Sequence, residues 1–231
     1  MKRIGILGGS SDQATADYYR RLNKGVNDRL GGFNTAELLI SSMNFAFSAD
    51  CVQNDKWDEV GAYLAERAKA LEGAGAELLL CVSNTLHRTA DIFTAGLSIP
   101  FLHIADVTGE AIVAAGLNRV ALLGTRMVMS GDHIKRRLAE RFGIEVVVPD
   151  AADQAELDRI IFDELCKGEF KPEAKAKDLA VMRDLAARGA QGVILGCTEI
   201  PLLVNQADAP DLPMFDTTGL HVDAALEMAL A

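Results

Sequence analysis

The sequence predicts an α/β fold made of two pseudo-symmetric halves, each with a parallel-sheet core. Short apolar runs ending in small or hydroxyl residues alternate with longer stretches of helical periodicity, the pattern of strands connected by helices. Segments also recur in the same order at nearly constant spacing. Arg3–Gly9 matches Arg119–Thr125 at an offset of 116, Ser83 matches Cys197 at 114, and Ile99-Pro100-Phe101 matches Leu212-Pro213-Met214 at 113. Finally, Glu77–Thr85 and Gly192–Thr198 each read as a buried strand that ends in a nucleophilic side chain followed by a threonine-bearing turn. Ligands of open parallel sheets bind beyond the carboxyl ends of the strands. The duplication therefore predicts an active-site cleft between the halves, with Ser83 on one wall and Cys197 on the other. The expected division is 1–102 plus 214–231 for the first lobe and 103–213 for the second.

Each element has its own signal. Residues 3–7 form an apolar strand running into Gly8-Gly9-Ser10-Ser11, and Ala14, Tyr18, Leu22 and Val26 place a helix from Asp12 to about Asn27. The serines are natural helix caps, and a helix start beside a glycine turn offers N–H groups to an anion, which makes Ser10 a candidate substrate contact. A plain tight turn accounts for the same residues, and G-x-G-x-x-G is absent. Glu37–Ser42 reads as a second strand leading through Met43 to a loop, Asn44-Phe45-Ala46-Phe47. The stripe Trp57, Val60, Leu64, Ala68 and Leu71 gives a helix stopped by Gly73 and Gly75, with Trp57 in the core. A short helix is expected from about Thr85. In the second half the helices start near Asp132, span Leu157–Leu165, and run from Pro172 to Gly189, with a strand at Glu145–Val148. A terminal helix begins at Thr218, capped by Thr217 or Thr218, and returns to the first half.

Composition narrows the function classes. With 231 residues, 49% of them hydrophobic and 24% charged, the chain can bury a sizeable core. A net charge of −10 argues against a nucleic-acid surface. The four cysteines have no CxxC spacing and no signal-like apolar region precedes the first strand, so a reducing cytoplasm is expected. No apolar run approaches the ~20 residues of a membrane span. The four histidines have no paired spacing with cysteine or carboxylate, and no metal is expected.

Cys197 at a strand's carboxyl end, followed by Thr198 and backbone N–H groups, has the ingredients for a thiol pKa below the free value of ~8.5. Cys51 and Cys166 read as buried hydrophobes. Cys81 lies ~7 Å along the strand from residue 83, out of reach for proton transfer at the tip.

Three motifs in order carry a resemblance: Ile4–Ser11 with Ala14-Thr15 and Tyr18-Tyr19, then Ser83-Asn84-Thr85-x-His87, then Gly196-Cys197-Thr198-Glu199-Ile200. Over essentially the whole chain the sequence resembles the aspartate/glutamate racemase family. The resemblance implies a cofactor-independent amino-acid racemase, usually a dimer. In that family two cysteines flank the substrate α-carbon, one removing the α-proton and the other returning a proton to the opposite face. Ser83 and Cys197 stand at those two positions. The resemblance further implies that Asn84, Thr85 and Thr198 hold the substrate's carboxylate and ammonium, with Thr125 as a further contact. Glu199 is left open between a substrate-facing role and a bond to its own loop.

The chain departs from the family at Ser83, where the pattern has cysteine. A serine hydroxyl is a far weaker acid, and a poor base unless a neighbour activates it. An introduced replacement of cysteine, a natural variant with slow or one-sided racemisation, and a different chemistry all remain open. Arylmalonate decarboxylases, related enzymes that keep only the second cysteine, make Cys197-dependent decarboxylation the enzymatic alternative; an inactive ligand-binding homologue is the other. Acidic-substrate members use an arginine after the second strand, whereas Gly31–Glu66 contains none. A buried substrate carboxylate would then be unpaired, which argues against strict aspartate specificity. Lys167 reads as a solvated lysine at a helix end.

Overall fold

Alternation of side chains across a pleated strand decides how the first sheet is buried. In the computed structural model, which describes residues 1–231, Ile4–Gly8 forms β1, Leu38–Ser42 β2 and Leu78–Cys81 β3, all parallel in the order β2-β1-β3. Ile4, Ile6, Leu78 and Leu80 face one side, where they pack on Tyr18, Leu22 and Val26 of α1 (Asp12–Leu30). Leu7, Leu79 and Cys81 face the other, against Val60, Leu64, Ala68 and Leu71 of α3 (Trp57–Gly73). Each fully buried Leu or Ile contributes about 1.5–3 kcal/mol. Helix α2 (Phe45–Gln53) precedes α3, and a 3₁₀ turn at Leu86–Thr89 and α4 (Ala90–Phe93) follow β3.

The chain falls into two units, residues 1–103 with 221–231, and residues 104–220. The second holds α5 (Ile104–Ala114), β4 (Arg119–Leu123), α6 (Arg126–Ser130), α7 (His133–Phe142), β5 (Glu145–Val147) and α8 (Ala151–Asp163). It continues with α9 (Pro172–Ala187), β6 (Val193–Leu195), α10 (Ile200–Leu203), β7 (Met214–Asp216) and the start of α11 (Thr217–Leu230). Its parallel sheet has the order β5-β4-β6-β7. The later turns of α11 pack Val222, Ala225, Leu226 and Ala229 onto the first sheet.

The repeat is visible in strand register. Ile6 pairs with Leu80 in the first sheet and Leu122 with Ile194 in the second, at the sequence offsets of 116 and 114. Phe101 bridges Leu79 as Met214 pairs with Val193.

Three expectations need correction. The return to the first unit begins at 221 rather than 214, because β7 completes the second sheet by pairing with β6. The cap of α11 is Asp216, whose Oδ1 accepts the Gly219 N–H at 3.0 Å, while the Thr217 hydroxyl donates to Leu195 O. The stretch Phe45–Phe47 is the first turn of α2, capped by Asn44, rather than a loop. Helix α5 carried no recognised signal.

One core position breaks the repeat. Leu64, wholly buried in α3, has Asp178 as its counterpart in α9 at the offset of 114. Asp178 is only 2% exposed, its Oδ1 has no hydrogen-bond partner, and burial pushes its pKa up to about 7. The folded form thus binds this proton more tightly than the unfolded chain, whose aspartates titrate near ~3.9. Stability from this group is fully present below that value and is lost as pH rises towards 7. Asp178→Asn is expected to match the wild type at pH 4 and to exceed it at pH 8 by roughly 1–3 kcal/mol in urea unfolding.

Candidate active site

The candidate residues gather at the strand tips of each unit. In the first unit β1 exits through Gly9, whose φ of +85° suits glycine and whose Cβ, if present, would lie 2.2 Å from Met43 O. The Gly9 N–H donates to Thr15 Oγ1 at 2.8 Å and Ser11 Oγ accepts from Ala14 N, so the turn meets much of its own hydrogen-bonding demand. Ser10 donates its hydroxyl to Val82 O at 2.6 Å, tying the β1 tip to the β3 tip. Having spent its proton, Ser10 retains only lone pairs, which suit an ammonium rather than a carboxylate.

At the β3 tip, Val82 N donates to Leu7 O and extends the ladder by one residue. Ser83 follows, half-buried. Its Oγ accepts the Leu86 N–H at 3.3 Å, its carbonyl accepts from His87 Nδ1 at 2.7 Å, and its hydroxyl proton is uncommitted. Asn84 is buried and Thr85 half-buried beside it. Cys81 is sealed in the core, with burial pushing its thiol up to about 12, so it takes no part in proton transfer near neutrality.

In the second unit Gly196 N donates to Leu123 O at 2.6 Å, the counterpart of the Val82 bond. A Cβ on Gly196 would meet Leu123 O at 2.7 Å, so glycine lets β6 close on β4 immediately before the thiol. Thr125 caps α6 through a 3.4 Å bond from Val128 N and sits at the β4 tip. Cys197 is 6% exposed and donates its thiol to Glu199 Oε2 at 3.0 Å. Thr198 donates to the same oxygen at 2.9 Å. Glu199 is 2% exposed, and its second oxygen, Oε1, is buried without a partner.

This geometry reverses the expected sign of the thiol shift. Burial foremost, then the charge of Glu199 and its hydrogen bond, push Cys197 well above the usual thiol range. The backbone N–H groups that suggested a lowered value are outweighed. At neutral pH Cys197 is therefore a thiol, in contact with a carboxylate that can accept its proton. Glu199, which the sequence left undecided, is bonded within its own loop, to Cys197 and Thr198; two positions after the cysteine, it puts an acid in place of the mirror residue Thr85. Lys167 is solvated and lies 3.6 Å from Asp163.

Glu199→Gln separates the two effects. Without the carboxylate, Cys197 is expected to alkylate faster at neutral pH, read by peptide mass spectrometry, while its proton-transfer rate falls by about 10²-fold.

The sequence matches the model of the Asp/Glu/hydantoin racemase family over residues 4–225. The chain belongs to that family. Among solved structures, this racemase-family chain superposes with a TM-score of 0.91 on a candidate Asp/Glu racemase from Yersinia pestis, at 40% identity with both chains covered in full. An aspartate racemase homologue from Pyrococcus horikoshii OT3 gives 0.86 at 36% identity, again over 100% of both chains. The broad specificity amino-acid racemase RacX of Bacillus subtilis is 23% identical over 99% of this chain and 98% of its own length. The α/β units are those of the family fold. No helix is long and apolar enough to cross a membrane.

Proposed function

We propose that the protein is a cofactor-independent amino-acid racemase with unequal partners, in which Cys197 and Ser83 serve opposite faces of one α-carbon. The observation that carries this reading is the buried Cys197–Glu199 pair at a strand tip. Glu199 takes the thiol proton, the thiolate removes the α-proton, and the resulting carbanion is protonated from the other face by the Ser83 hydroxyl. That last donation leaves an alkoxide beside a single backbone N–H, so inversion is slow. Asn84, Thr85, Thr125 and Thr198 are assigned to the substrate's carboxylate and ammonium, and Ser10 to the ammonium.

The substrate side chain is uncharged in this reading. The segment after β2 supplies no arginine, and α2 opens with Phe45-Ala46-Phe47. A carboxylate there would lose hydration without a partner.

Incubation with a panel of single enantiomers, followed by chiral chromatography, tests the reading. Slow appearance of the opposite enantiomer of at least one neutral amino acid is expected. Failure of both the wild type and Ser83→Cys to interconvert any amino acid would overturn it. The protonated resting state of Cys197 also suits a decarboxylase, where the thiol only delivers a proton to a carbanion formed by loss of CO₂. CO₂ release from disubstituted malonates distinguishes that chemistry.

A further inference from the structure

The duplicated tips differ in how the carbonyl of the reacting residue is bonded. At the second tip, Ile200 N donates to Cys197 O at 3.1 Å, an ordinary turn bond. At the first, the equivalent amide, Leu86 N, donates to the Ser83 side chain at 3.3 Å, and Ser83 O is met by the His87 ring at 2.7 Å. The position equivalent to His87 is Pro201, which has no side-chain donor to offer. A carbonyl accepts only, so Nδ1 of His87 carries the proton.

The ring is held for this task. His87 is 3% exposed, with the rings of His103 at 4.6 Å, Phe101 at 5.4 Å and His221 at 6.0 Å. His221 is fixed in turn between Tyr18 Oη and Leu102 O, both at 2.9 Å. Because Leu102 O only accepts, His221 donates from Nε2 and accepts the tyrosine proton at Nδ1. Burial lowers its pKa to about 4, which keeps it neutral.

We infer that His87 is a positioning residue for the side chain at 83: by holding the Ser83 carbonyl turned towards its ring, it leaves the Leu86 amide to bond to that side chain and stabilise its deprotonated form. The two tips are then electronically opposite. Residue 83 faces an N–H donor, and Cys197 faces a carboxylate. This deepens the proposed function only in assuming that residue 83 meets substrate; the hydrogen-bond exchange itself is independent of the reaction.

The experiment is therefore read without turnover. In a Ser83→Cys background, the pH dependence of iodoacetamide alkylation at position 83, followed by peptide mass spectrometry, reports the thiol pKa. Asparagine places an amide donor near the position of Nδ1, whereas glutamine reaches that of Nε2. His87→Asn is expected to keep the Ser83→Cys alkylation rate at pH 7, and His87→Gln and His87→Leu to lower it about tenfold as the thiol pKa rises by about one unit. Equal rates for Asn and Gln would overturn the inference even if the leucine variant failed to fold. A tenfold split without racemisation of any amino acid would uphold the clamp and remove the racemase. Racemisation without the split would do the reverse.

Discussion

Cys197→Ala is expected to lower α-proton exchange by about 10³-fold or more, since a positioned proton-transfer group contributes about 10²–10⁴-fold. The thiol donates to the Glu199 carboxylate and, in the proposed reaction, removes the α-proton as a thiolate. Its removal leaves Gly196 and the β6–β4 ladder unchanged, because those contacts are made by backbone. Thermal stabilisation by a neutral amino acid should therefore survive while exchange, followed by NMR in heavy water, is lost. An undiminished exchange rate would assign the chemistry to another residue.

Ser83→Cys should move the rate the other way, raising D/L interconversion by about 10²-fold or more. The Leu86 N–H already bonds the side chain at 83, so a thiolate there meets a ready donor. Donation from a thiol is also far easier than from a serine hydroxyl, and the alkoxide step disappears. Chiral chromatography at saturating substrate measures the gain. A variant as slow as the wild type, still binding amino acids, would favour the inactive ligand-binding protein over the racemase.

Much of the fold was legible because duplication is a long-range signal. The offsets of 116, 114 and 113 reproduce the strand register of both sheets, which no local propensity could do. Elements whose signal is local fared less well. Helix α5 has the mixed sequence Ile104-Ala105-Asp106-Val107-Thr108, and its Asp106 carboxylate is committed to Arg137 of α7, a partner 31 residues away. The terminal boundary was displaced because Met214–Asp216 becomes a strand only by pairing with β6.

At the candidate site, the positions of Ser83 and Cys197 at strand tips followed from sequence, but their electrostatics did not. A thiol pKa depends on burial and on the rotamer of a neighbour, so Cys197 moved up where backbone N–H groups suggested down. In the sequence His87 is only a motif residue without metal-ligand spacing; the exchange of hydrogen bonds around Ser83 emerges only from comparing the two tips atom by atom.

The unequal partnership of Cys197 and Ser83 is tested most directly by deuterium wash-in from each enantiomer of the same amino acid in heavy water. Because the two enantiomers have equal free energy, inversion has the same kcat/KM in both directions and cannot reveal the asymmetry; exchange with retention can. The one-sided mechanism predicts that the enantiomer whose α-proton faces Cys197 acquires deuterium faster than it inverts, while its mirror image acquires little. Equal wash-in from both enantiomers, at the rate of inversion, would contradict it.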